Sequence, residues 1–167
     1  MNFPSPTGPA LPRNEVFVMY LDYFRERIID KVTSLPLDAL VVSVVPTDWT
    51  ALELVRHLTF VEMRWLEWGF EGRSVDEPWG DHLGERWFVG PDDTLDSLVE
   101  ALRIRGVQSG KIVRRHQLDE TGQPGPRWNG DGPATLERVL FHLVGEYARH
   151  LGHLDIYAEL AEGQVGE

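Results

Sequence analysis

The chain has 167 residues, no cysteine, and 27 acidic side chains against 16 basic ones, for a formal net charge of −11. That length suits one domain able to bury a full core. The missing cysteine excludes disulfides, Cys-bound zinc, iron–sulfur clusters and a protein thiol nucleophile, and the acidic balance argues against nucleic acid and anionic membranes as partners.

Residues 1–13 hold four prolines and a glycine. They lack the apolar centre of a signal peptide, and no stretch approaches the ~18 apolar residues of a membrane span. They are expected to form a flexible N-terminus ahead of one bundle domain, residues 14–167, in a cytoplasmic protein. Four long segments follow between Gly and Pro signals. The first, Asn14 to Ser34, carries Val16, Tyr20, Tyr23, Phe24, Ile28 and Val32 at helical spacing, with Asn14 as its N-cap. The connector Leu35 to Trp49 is rich in valine. A single strand there would have no partner, so an extended or irregular path is expected. Thr50-Ala51-Leu52-Glu53 is a capping box that opens a second helix to about Phe70.

Glu71 to Asp93 reads as a long loop; its Trp79 and Trp87, in company with Asp81, His82 and Arg86, could line a pocket mouth or pin the loop to the bundle. Asp93 is expected to cap a third helix, Thr94 to His116, with Leu95, Leu98, Val99, Leu102 and Val107 facing inward. The fourth helix, about Ala134 to Ala161, has an apolar stripe from Leu136 through Tyr147 to Leu154. Four amphipathic helices without a convincing sheet predict an all-α four-helix bundle with long inter-helix loops.

On the fourth helix, His142, Glu146, His150 and His153 fall within an arc of about 80° at 100° per residue. A carboxylate and an imidazole four residues apart can share a metal ion. They can equally be a solvated Glu–His pair. His57, on the core edge of the second helix, could join them if helices two and four pack, or remain a satisfied core histidine. Two His and one carboxylate with a position left open is a catalytic pattern for zinc, and it also suits iron, nickel or manganese.

His57 within L-V-R-H-L-T-F-V-E, followed by G-E-Y-A-R-H-L-G-H-L-D, resembles the DinB-like superfamily, in particular its actinobacterial branch of small proteins. The likeness runs from about residue 14 to 161. It implies a four-helix bundle with a divalent metal at one end. Many members carry three histidines there, and this chain has Glu146 at one of the positions. That set is similar to the metal site of the mycothiol-dependent maleylpyruvate isomerases, which implies His57, Glu146 and His150 as ligands of a divalent ion, zinc or nickel. Those isomerases have a further C-terminal domain, and this sequence stops soon after helix four. The expectation is therefore the broader one: a thiol-dependent transferase or isomerase that activates a water or a low-molecular-weight thiol such as mycothiol. The alternatives are a non-catalytic metal-binding stress or sensor protein and a plain helical interaction module. His153 and Arg149 are candidates for supporting the ligands; Arg149 is more simply a partner of Glu53 or Asp155. Bundles of this sort commonly dimerise, so a homodimer is expected. No nucleotide-binding or hydrolase motif is present.

Overall fold

The computed structural model describes residues 2–162, the side chain of Glu162 excepted. Four long helices dominate: α1 (Arg13–Ser34), α3 (Ala51–Glu62, continued by a π-helical stretch Met63–Phe70), α4 (Leu95–Arg115) and α5 (Leu136–Glu162). A short α2 (Leu37–Val41) and a hairpin of β1 (His82–Leu83) and β2 (Arg86–Trp87) fill two of the connections. α1 packs on α5 and α4, and α3 packs on α4 and α5, so the helices close a ring in the order α1, α5, α3, α4.

The capping box at the head of α3 forms as its sequence predicts. The Thr50 side chain accepts from Glu53 N–H, and the Glu53 carboxylate accepts from Thr50 N–H. Other termini differ from expectation. α1 starts one residue earlier, after Pro12, and Asn14 does not cap it. α4 is capped by Thr94, not Asp93; the Asp93 carboxylate instead accepts from Arg56 and from Gly90 N–H. The connector after α1 contains α2 rather than only irregular chain. Pro36 sits just before its first turn, where a missing N–H costs nothing. The Tyr157 hydroxyl holds that turn to α5 by reaching Ala39 O and Val42 O, each at 2.8 Å.

The core is aliphatic, with Ile28, Leu54, Leu58, Leu66, Leu102, Leu140 and Leu143 sealed from solvent. Val107, expected inside, is 60% exposed. Its neighbour Gly106 takes the inward place instead, because a Cβ there would collide with the Arg25 guanidinium. Arg25 is buried, and so is Glu62, which accepts from Arg25 Nη2 at 2.7 Å and from the hydroxyls of Ser109 and Tyr147. One carboxylate thus ties all four long helices together. Burial, and then the Glu62 charge, push the Tyr147 hydroxyl well above its ordinary pKa, so it stays a donor. At the N-terminus the Phe3 ring meets Tyr20 and Tyr23 edge-on, and Tyr20 donates to Pro4 O.

Removing one partner of a buried ion pair is costly because the other charge stays behind. Glu62→Gln is expected to lose about 3 kcal/mol, the lower end of the usual range for such a change, since Asp22 remains 2.5 Å from Arg25. Urea denaturation of the purified variant measures it.

Candidate metal centre

The site lies where α3 and α5 face each other beneath the hairpin. The Thr50 cap fixes the start of α3, so that Leu54, Leu58 and Val61 point into the core and His57 lies at its edge. On α5, the stripe of Leu143, Tyr147 and Leu154 faces the core and turns Glu146 and His150 toward α3. One donor atom from each of His57, Glu146 and His150 lies within 4.8 Å of the other two. Nε2 of His150 is 3.3 Å from Oε2 of Glu146. Nitrogen and oxygen donors at ~2.0–2.2 Å from a tetrahedral ion stand roughly 3.3–3.6 Å apart, so this spacing suits a shared cation. Nδ1 of His150 is buried and has no hydrogen-bond partner among the described residues.

His57 is held from behind. Its Nδ1 is 2.9 Å from Oδ2 of Asp81, a residue sealed from solvent in the loop before β1. Arg64, on the π-helical stretch, reaches both Asp81 oxygens at 2.6 and 3.1 Å. His82 Nδ1 lies 2.9 Å from Oδ1. Burial alone would raise the Asp81 carboxyl. Hydrogen bonds from His57 and Arg64 outweigh it and hold the group well below the usual carboxylate range. An ionised carboxylate only accepts, so His57 donates from Nδ1 and keeps the Nε2 lone pair free. His57, Asp81 and His82 form a second acidic–imidazole group. There Arg64 already neutralises the carboxylate, and a cation would have to displace it.

The Trp87 indole stacks on the His57 ring, with centroids 4.2 Å apart and planes 21° apart. It covers that face and also lies 5.4 Å from His150. A cavity of about 190 Å³ opens beside it, walled by Trp87, Trp49, Glu53 and Arg86. The hairpin that carries Trp87 turns at Gly84, whose φ of +65° favours glycine.

The expected residues thus divide. His57, Glu146 and His150 come together. The His153 ring lies 5.4 Å from His150 and 6.4 Å from Trp49. Arg149 is exposed, and neither expected ion pair forms: Asp155 pairs with Lys31 at 2.9 Å, and Glu53 is spent on the cap. His142 packs on Trp65 with centroids 4.4 Å apart, and its Nε2 is 3.6 Å from Glu146. Trp65 is only partly buried, at the edge of the core. The π-helical stretch, where an unbroken α-helix was expected, buries Met63 and Leu66 and also turns Arg64 inward. Asp81 and Arg64 escaped sequence reading as site residues. The signal available was the cluster of Asp81, His82 and tryptophans in one long loop.

Burial lowers the pKa of His57, His142 and His153 below the ordinary histidine value. The unfolded chain therefore binds protons first as pH falls below ~6.5, and folding loses stability from there downward. Thermal melts in chelator from pH 7.5 to 5.0 should show a falling midpoint. His142→Gln combined with His153→Gln should flatten the slope.

No helix is long and apolar enough to cross a membrane, among the described residues. A search of curated proteins finds no match. The chain is similar to the crystal structure of the conserved protein of a locus from Enterococcus faecalis, 13% identical, with a TM-score of 0.62 over 93% of this chain and 100% of that one. A likeness at that identity is one of fold. The sequence pattern of the Mycothiol-S-transferase family matches residues 16–163, nearly the whole bundle, and the chain belongs to that family.

Proposed function

We propose that the protein is a metal-dependent S-transferase. It joins a low-molecular-weight thiol, mycothiol or a close analogue, to a small electrophile, with His57, Glu146 and His150 holding a divalent cation. The observation that carries the reading is the convergence of two imidazoles and one carboxylate at one end of a bundle of this family. Such a cation, when bound, supplies Lewis acidity that makes a thiol acidic near neutral pH. The two-nitrogen, one-oxygen donor set suits zinc or nickel. A chain without cysteine fits a reducing cytoplasm.

The residues serve that chemistry in distinct ways. Asp81 fixes the His57 tautomer, and burial keeps His57 neutral at pH 7. Without the ion, the adjacent His150 imidazole already lowers the Glu146 carboxyl below its ordinary value, so it stands ionised, as a ligand must. Trp87 shields one face of His57 from water. His153 is a further neutral base at the rim, able to take a proton released by the thiol. In the transfer the S–H proton leaves, a C–S bond forms, and the electrophile's leaving group departs with the bonding pair.

Purified without added metal or a histidine tag, the protein should carry close to one divalent ion per chain by plasma mass spectrometry. His57→Ala and His150→Ala should lose it and remain folded by circular dichroism. Full occupancy in both variants rules out this ligand set. Asp81→Asn should weaken metal affinity by about 10- to 100-fold, as loss of an orienting carboxylate does. Thiol consumption with a mycothiol-type thiol and an electrophile should depend on the ion. A loaded protein inert to every such pair, yet much less heat-stable in chelator, would instead mark a structural or sensing ion.

A further inference from the structure

Arg127 stands out by what surrounds it. The other arginines shielded from solvent, Arg25, Arg27, Arg56, Arg64 and Arg105, each reach a carboxylate. Arg127 is half-buried and reaches none among the described residues, in a chain with 27 acidic side chains. Its Nε is buried and has no hydrogen-bond partner among the described residues; the same holds for Nε of Arg56 and Arg105, but their guanidinium ends reach carboxylates. Burial works against its charge, and the neighbouring Arg64 adds repulsion. An unpaired cation kept in such surroundings needs compensation.

Part of that compensation is visible. The Arg127 guanidinium lies over the Trp65 ring, with Cζ 3.7 Å from the centroid. The turn that carries it, Pro126–Trp128, is pinned by Trp128, whose indole N–H donates to Gln123 O at 2.8 Å. The cation is therefore held by a rigid support. From Trp65 the contacts lead to the His142 ring at 4.4 Å and on to Glu146 at 3.6 Å. Arg127 is thus linked through the Trp65 and His142 rings to Glu146 of the candidate metal centre.

We propose that Arg127, resting on Trp65, binds the carboxylate of a small organic anion beside this centre and so selects carboxylate-bearing electrophiles. Its guanidinium fork matches a carboxylate's two oxygens. A single unpaired charge suits a monoanion better than a phosphate dianion, since Glu146 and the acidic surface oppose further negative charge. The role in selecting the electrophile rests on the transferase reading; binding of the carboxylate does not.

The test uses the full chain, first freed of metal and then loaded with zinc, and benzoate as the probe, with binding read by titration calorimetry. The metal-free wild type should bind benzoate. Arg127→Met should weaken binding about ten- to hundredfold, the loss expected for a charge-assisted contact. Arg127→Lys should retain part of it and covers the case in which Arg127→Met fails to fold. Benzyl alcohol should show no dependence on residue 127. Equal benzoate affinity in wild type and both variants overturns the proposal. So does benzoate binding that needs zinc, and so does ready displacement of benzoate by inorganic phosphate. Metal content of the same samples separates the two readings. Arg127-dependent benzoate binding in a protein that never retains an ion keeps the subsite and removes the transferase. A loaded, active enzyme whose benzoate affinity ignores Arg127 removes the subsite alone.

Discussion

Asp81 is a carboxylate sealed from water in the middle of a loop, and the arrangement of the site follows from how it is satisfied. Both of its oxygens are taken by Arg64, one of them also by His57 and the other by His82. An ion pair of this kind adds little stability over an apolar packing, and losing half of it is expensive. What it supplies is position. The loop after the π-helical stretch must return to Arg64, and in returning it brings Trp87 onto His57. The carboxylate sets which nitrogen of His57 carries the proton, so the loop anchor and the orientation of the candidate ligand are one interaction.

A second buried carboxylate, Glu62, does the corresponding work in the core. It lies at the end of α3 and receives donors from α1, α4 and α5. His57 and Glu62 are five residues apart on the same helix. Glu62 faces the bundle's interior, and His57 faces the seam with α5. The register of α3, set by the Thr50 capping box, therefore governs both the core network and the candidate site. α5 shows the same economy: Tyr147 donates to Glu62, and its neighbour Glu146 faces His57 and His150.

Much of this was legible in the sequence because it depends on neighbours along one helix. Four amphipathic periods, the T-x-x-E cap and the spacing of Glu146 to His150 are local patterns, and the fold followed from them. The grouping of His57 with Glu146 and His150 did not: spacing left His57 open between ligand and core histidine, and only the family resemblance implied the set. The misreadings share a cause. Asn14 and Asp93 look like good caps, yet Pro12 precedes the first turn of α1, and a tertiary contact with Arg56 claims Asp93. Val107 fits the apolar period of α4, but the buried Arg25 guanidinium needs the space that only Gly106 leaves. Arg149 had two plausible acidic partners, and each was already engaged elsewhere.

The sequence by itself determined the class of fold, the start of α3 and the residues of α5 that share a face, because a helix repeats its geometry every few residues whatever it packs against. Only the tertiary structure decided that Asp81 reaches His57 across 24 residues, that Arg64 turns inward from a widened helical turn, and that Arg127 rests on Trp65 with no carboxylate in reach among the described residues. Those outcomes depend on which charges meet when the chain closes. Burying a charge without a partner is costly, and no local pattern records which partner in three dimensions, if any, a charge will meet.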